Sequence, residues 1–553
     1  MVNRLKTVAL IGIVALAVAA AATSRRARAE DNPLPTATTH LAFDSFVALV
    51  EGADGAPGEA AFKNPSNPIC STSTSTAANV STDCEGVAPH NETSIAVNPT
   101  NPFNMIGGAN DYQLKLSAGG TVNETVFSRA HVTFDGGATW TTVPLDANGY
   151  IATGDPAVAF DAVGNAYYAT LGFGFGQASP TGKNPDVIVA HSSDGGATWS
   201  SAVVVAKGTG SFGSKGTFND KEYIAAWGSG NAIVTYTKFR DGIRGSYGGS
   251  PIFASVTHDG GATWSAPVEI SGSAPFCVGF FGDTTCDQNQ GSVPAVAANG
   301  AIYVAFLSTR ETTTFTDQYL VVQVDPATGQ RVGGPFKVGD VADGIADYPI
   351  NEDGRQTYQD SQFRTWALGN IAADPTDGQH LAVVWSDMRN TVHPVPQDPY
   401  QAKTNSDVIV SQSANGGRTW SAPAAIAARG DQFMPWASYG GDGRLRVGYF
   451  DRSYDPANHK FGYTLAAEKR AGTLAFTTAQ LTTALSDPTR DDRWFSGRTP
   501  NAAFPHPTSF LGDYSGIDGA QGFTAALWTD LRNTVCFTGR CGHGEDAMYS
   551  TSR

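Results

Sequence analysis

The chain has 553 residues, with 36 Lys and Arg against 51 Asp and Glu, a formal net charge of −15. So acidic a balance excludes nucleic acid and anionic membrane surfaces as electrostatic partners. The length predicts roughly three ordinary domains unless an internal repeat joins everything into one body.

In chain order, residues 1–29 read as an export signal: Arg4 and Lys6 form a basic start, 7–22 are apolar, and Ala27-Arg28-Ala29 is a small-x-small cleavage site. The apolar run is short for a membrane span and no later run is longer, so no span is expected after cleavage. Removing this segment leaves 31 basic residues against 51 acidic ones, a net of −20. Residues 30–90 are rich in Pro, Gly, Ser, Thr and Ala and read as a low-complexity lead-in with one strand at 41–47. The six cysteines form three close pairs, Cys70 with Cys84, Cys277 with Cys286, and Cys536 with Cys541. For an exported chain, local disulfides are the expectation, and no C-x-x-C spacing points to zinc.

From residue 91 to 553 one unit recurs. Each copy opens with a short apolar strand, at 93–98, 156–161, 222–227, 293–298, 369–374, 433–439 and 512–518. A second strand rich in aromatic and β-branched residues follows, at 105–109, 166–171, 232–238, 301–308, 380–386, 445–450 and 523–529. The spacing of roughly 65 to 80 residues suits four strands plus loops, and no helical period is sustained. The expected fold is all-β: a propeller of four-stranded antiparallel blades, seven in number, or six if one unit is irregular. The seventh unit ends at its third strand, near 546–550. The missing fourth is expected from the lead-in strand at 41–47, which would close the ring and cover an open edge.

Four units carry the same turn between strands: Thr133-Phe-Asp135-Gly-Gly137-Ala-Thr139-Trp140, Ser192-Ser-Asp194-Gly-Gly196-Ala-Thr198-Trp199, Thr257-His-Asp259-Gly-Gly261-Ala-Thr263-Trp264 and Ser413-Ala-Asn415-Gly-Gly417-Arg-Thr419-Trp420. The glycines supply left-handed positions, the acid accepts hydrogen bonds from the turn, and the Trp anchors it. Unit four has only a degenerate version at Asp325-Pro-Ala-Thr-Gly329, and unit six has none. These turns resemble the Asp-box, or BNR repeat, of the sialidase superfamily, with Asn415 standing where the family has Asp. The resemblance implies a propeller whose glycine turns lie between third and fourth strands, on the face opposite the active site. It also implies a glycan or glycoconjugate as partner.

On that rule the functional face is built from residues after second strands and before first strands. After second strands stand Arg240, Arg310, Arg389, Arg452 and Arg532, and Arg389 and Arg532 lie in near-identical hexapeptides with Asp387 and Asp530 two residues earlier. Converging guanidiniums would bind a carboxylate bidentately, as the resemblance implies for an acidic sugar. The competing reading makes each Asp-x-Arg a structural ion pair. Before or within first strands stand Glu92, Asp155, Asp220, Glu222 and Asp513. Asp155 and Asp220 are the acid/base candidates, against a structural role as turn caps. Glu222-Tyr223, Asp347-Tyr348 and Asp513-Tyr514 put a carboxylate beside a tyrosine, the nucleophile the resemblance implies. Neighbours in a regular strand face opposite ways, so such pairs serve only at irregular strand ends. Tyr514 is the candidate attacker, with water as the alternative, and Asp513 joins the arginines as a substrate contact.

The Arg-Ile-Pro motif of many sialidases is missing, and the first unit offers Glu92 and Asp111 in its place. The leading expectation is a secreted exo-glycosidase that removes a terminal, acidic sugar. The alternatives are a non-catalytic propeller that binds glycan or protein at the cell surface, and a polysaccharide lyase using Tyr with His or Arg. No metal ligand set is assigned and no cofactor is implied, although structural calcium among loop aspartates fits the composition. A monomer is expected. There is no His-Glu-x-x-His, P-loop or Gly-x-Ser-x-Gly motif, and Gly208-Thr-Gly210-Ser-Phe-Gly213 precedes no amphipathic helix.

Overall fold

The computed structural model describes residues 72–552, apart from 75–77, 84–88, 117–121, 151, 174–184, 210–215, 241–246, 352–353, 427–428, 491–509, 521 and 538–539. The export signal, the strand at 41–47, Cys70 and Cys84 lie outside the described residues. Alternating apolar residues and glycine turns fold the rest into seven antiparallel sheets around one axis. Their innermost strands are His90–Val97, Ala152–Phe160, Phe218–Trp227, Asn289–Val296, Ile371–Ala373, Gln432–Tyr439 and Gly516–Ala520. Each touches the next, and the last returns to the first. Second strands follow at Met105–Leu116, Ala166–Phe173, Asn231–Phe239, Ile302–Glu311, Leu381–Asp387, Leu445–Asp451 and Phe523–Asp530. The propeller has seven blades.

Blade seven takes its outer strand from the lead-in, as Val80–Ser81 pairs with Asp546–Ser552. A second lead-in strand, Thr72–Thr74, adds a fifth strand to blade one. Both cover edges that would otherwise offer free backbone groups.

The apolar core is divided among the gaps between blades. Ile106, Val132, Val158, Phe160 and Tyr168 fill the gap between blades one and two. Val97, Met105, Trp140, Leu527 and Tyr549 fill the gap between blades one and seven. Burying each such side chain stabilises the ring by roughly 1.5–3 kcal/mol. Cys277 and Cys286 are disulfide-bonded in a loop after blade three. Cys536 and Cys541 stand opposite one another in the hairpin of Thr534–Phe537 and Arg540–His543.

The four glycine turns all join third to fourth strands, and all are built alike. In blade three, Asp259 Oδ1 accepts from Thr263 N at 2.9 Å and Oδ2 from Thr263 Oγ1 at 2.6 Å, while Thr257 Oγ1 takes the Gly261 N–H at 3.1 Å. Gly137 has φ 88°, and a Cβ there would lie 2.1 Å from Tyr549 of blade seven, so only glycine fits. Blade four makes the turn with Asp325, which accepts from Ala327 N at 2.7 Å. Blade six uses Glu468, whose Oε1 takes the amides of Thr473 and Leu474 at 2.7 and 2.9 Å. Because strands alternate in direction, the ends of second strands and the starts of first strands lie on the other face. In blade five the glycine turn follows Asp407–Ser413, whereas Arg389 follows the antiparallel Leu381–Asp387.

Candidate active site

The first strands begin irregularly. Register slips by a bulge between Asn91 and Ser94, Gly154 and Ala157, Asp220 and Tyr223, Gln290 and Val293, and Phe433 and Trp436. Each bulge carries a left-handed residue: Glu92 (φ 54°), Asp155 (58°), Lys221 (51°), Gly291 (63°) and Met434 (47°). A side-chain-bearing residue pays roughly 1–2 kcal/mol for that conformation. Bulges re-aim side chains, and strain of this kind gathers at functional sites. Here the bulges bring groups from blades one, two and three together at the axis.

Lys221 is the hub. Its Nζ lies 2.9 Å from Glu92 Oε1, 2.9 Å from Asp155 Oδ2 and 2.6 Å from Asp513 Oδ2. Arg364, from the connection between blades four and five, grips Asp513 with Nε at 2.8 Å and with Nη2. Asn110 donates to Glu92 Oε2 at 2.8 Å and accepts from Asp155 N at 2.9 Å. Asp220 and Glu222 flank Lys221 in sequence, are buried, and meet no side-chain hydrogen-bond donor among the described residues. The aromatic wall is Tyr514, Tyr223 and Trp436, with Tyr223 4.9 Å from Trp436 and 6.3 Å from Tyr514 between ring centres. Lys221 Nζ stands 5.7 Å from the Tyr514 ring centre, and the Tyr514 hydroxyl donates to Pro156 O at 3.2 Å.

This environment drives carboxyls of one type apart. Burial, reinforced by Asp155, pushes Glu222 well above the usual carboxylate range. Burial also raises Asp220, and raises Glu92 with help from Asp155, against the pull of Lys221. At Asp513 burial is outweighed by Arg364 and Lys221, which hold it at about 2. Lys221 itself is raised because Asp155, Asp513 and Glu92 outweigh its burial. Burial and the surrounding acids raise Tyr514 too, so its hydroxyl is not activated as a nucleophile. Buried carboxyls separated in this way mark an acid beside a fixed anion.

Of the residues singled out in the sequence, Asp155, Asp220, Glu222, Asp513 and Tyr514 meet here. The five arginines do not converge. Arg240 pairs with Glu269 at 2.6 Å on the outer strand of its own blade. Arg310 lies 3.5 Å from Asp340. Arg389 folds back on Asp387 at 2.6 Å and reaches the Asp340 carbonyl of blade four at 2.8 Å. Arg532 binds Asp530 at 2.7 Å and Asn79 of the lead-in at 2.9 Å. Arg452 is fully enclosed, bonded to Asp431 and packed among Tyr358, Phe363 and Phe433. Each guanidinium thus has its own carboxylate away from Lys221, and the five do not form one anion-binding ring. Asp347 pairs with His393, and Tyr348 is buried against Tyr358, away from the centre.

Lys221 and Arg364 were missed in the sequence. Lys221 stood between two candidates, and an acid-Lys-acid triplet opening a first strand was the available signal. Arg364 lies in a connection outside the repeat and had none.

No family model and no curated protein matches this chain. Among solved structures it is similar to a Hadza microbial sialidase at 11% identity, over 78% of this chain and 75% of that one, with a TM-score of 0.41. It is similar to a leech intramolecular trans-sialidase at 10% identity, over 88% and 93%, with a TM-score of 0.42. It is also similar to a polysaccharide lyase, a PL25 ulvan lyase, at 12% identity, over 70% and 80%, with a TM-score of 0.40. At such identities the likeness carries nothing about chemistry.

Proposed function

We propose that this chain is an exported propeller of the sialidase superfamily, built on Asp-box turns, that cleaves a terminal sugar from a glycan in the pit around Lys221. The observation that carries this reading is the pair Asp220 and Glu222: buried, raised, and met by no side-chain hydrogen-bond donor among the described residues. Unsatisfied buried carboxyls are costly and persist where a ligand or a reaction uses them. In the proposed reaction Glu222, whose burial favours the protonated form, gives its proton to the departing glycosidic oxygen. Asp155 takes a proton from the attacking water. Lys221 and Arg364 keep Asp513 ionised, and that charge steadies the positive character that develops on the sugar ring. Lys221 and Arg364 are already engaged by Asp513, and Lys221 by Glu92 and Asp155 as well, so neither cation stands ready for an acidic sugar and an uncharged terminal sugar suits the site better.

The test is a panel of fluorogenic glycosides covering sialosides, uronides and neutral hexosides. Glu222→Gln should lower kcat by about 10²- to 10⁴-fold while leaving KM nearly unchanged. Turnover untouched by both Glu222→Gln and Asp220→Asn would remove the assignment. One observation favours a second reading, a propeller that binds glycan without cleaving it: none of Glu92, Asp155, Lys221, Glu222, Asp513 and Tyr514 is more than 7% exposed. Saturable glycan binding with no turnover on the whole panel would establish it instead.

A further inference from the structure

We propose that His90, Asp111 and His131 form a site for one divalent transition-metal ion, zinc by its ligand chemistry, at the seam where the first and last blades meet. His90 and Asp111 face each other across the first two strands of blade one, and His131 lies on the third strand, opposite Gly107. All three are fully buried, and one ligand atom from each lies within 4.8 Å of the others. His90 Nε2 and Asp111 Oδ1 are 3.4 Å apart. That is long for a hydrogen bond. It is close to the spacing of about 3.3 Å between ligand atoms on a tetrahedral ion with bonds of about 2.0–2.1 Å.

The independent observation is the hydrogen-bond accounting at His131. Thr82 Oγ1 lies 3.1 Å from the Ala547 carbonyl oxygen and 2.7 Å from His131 Nδ1. The tautomer the site requires is the one in which Thr82 gives its hydroxyl hydrogen to the Ala547 carbonyl and accepts from His131 Nδ1–H. That ring keeps its lone pair on Nε2, which is buried and meets no hydrogen-bond partner among the described residues. An imidazole with one nitrogen tied back and the other bare is arranged as a metal ligand. Asp111 is oriented in the same way, since its Oδ2 faces Arg129 Nη1 at 3.1 Å while Oδ1 faces His90. Two imidazoles and a carboxylate select zinc over calcium, which takes six to eight oxygens.

The placement couples the ion to ring closure. The three ligands belong to blade one. The hydroxyl that sets the His131 tautomer belongs to the segment just after Val80–Ser81, which is bonded to blade seven. The site is therefore complete only when the seam is shut.

The test uses the full chain, stripped with a chelator and then titrated with zinc under equilibrium dialysis and metal analysis. The wild type should take up about one ion per chain, as a structural site does. Cobalt in its place should give the visible absorption of a four-coordinate ion, and zinc should raise the Tm of the wild type. His131→Ala and Asp111→Asn should abolish uptake, and Thr82→Val should weaken it by about 10- to 100-fold. If His131→Ala does not fold, wild-type dialysis and the cobalt spectrum decide alone. A folded wild type with no saturable uptake overturns the proposal. So does uptake that His131→Ala and Asp111→Asn leave unchanged, or a site that prefers calcium.

Discussion

Asp259 and Asp220 sit at opposite ends of blade three and behave in opposite ways. Asp259 lies in an exposed glycine turn, where Thr263 supplies both a hydroxyl and an amide and holds the carboxyl down at about 2. Asp220 lies at the bulged start of the innermost strand, where burial holds it far up and no side-chain donor among the described residues answers it. The partners of the first are within four residues of it. The charged groups that act on the second include, besides Lys221, Asp155 of blade two and Asp513 of blade seven. One end of the blade is a self-sufficient local motif, and the other is chemistry assembled from distant segments. The glycine turns hold the blades, and the strained centre is where function is to be sought.

The hardest blow to this contrast is Lys221→Met. It leaves Glu92, Asp155 and Asp513 facing one another without their shared cation, and breaking a buried ion pair typically costs 3–5 kcal/mol, so a loss of about that size is expected in denaturant unfolding. A midpoint unchanged from wild type would show that charge does not hold the centre together. Asp518 sharpens the contrast, because it stands toward the glycine-turn end of its first strand and is only partly exposed. It accepts from Val97 N at 2.8 Å, yet burial pushes it up to about 6. A raised folded pKa means the folded state holds the proton longer than the unfolded chain, whose Asp titrates near about 3.9. The stability it lends is full below pH 4 and is lost as pH rises toward 6. Asp518→Asn should flatten the stability profile in that window by about 2–3 kcal/mol, read from unfolding midpoints at a series of pH values.

Much of this plan is legible in the sequence. Glycine turns and their Trp anchors depend on near neighbours, so all seven blades and the opposition of their ends followed from local pattern. Asp155, Asp220, Glu222, Asp513 and Tyr514 were reachable because each stands at the start of a first strand. The arginines recur for the same kind of local reason. Arg389 and Arg532 repeat because Asp387 and Asp530 repeat beside them, and the pair serves the blade. Lys221 and Arg364 depend on which segments meet at the axis, which no local pattern records. His90, Asp111 and His131 lie on three separate strands, so their spacing forms no motif.

The smaller effects test that account of the rim. Arg389 is partly exposed and paired within its own hexapeptide, so Arg389→Ala should cost no more than about 1 kcal/mol and leave turnover within error of wild type. A large loss of turnover would restore it to the pit. Smallest is Asn415→Asp, which converts the amide of the fourth turn into the carboxylate of the other three. Thr419 N donates to Asn415 Oδ1 at 3.0 Å, and its hydroxyl now accepts from Asn415 Nδ2 at 2.7 Å. With Asp the hydroxyl would donate instead, and a gain of a few tenths of a kcal/mol in thermal unfolding is expected.

The clasp between Val80–Ser81 and Asp546–Ser552 also dictates timing. Thr82 leaves the ribosome long before Ala547, its partner 465 positions later. Six blades can stack as an open arc during translation, but the circle waits for the final strand. The early segment must stay unmated until then, which makes shutting the ring the slow, long-range step of folding.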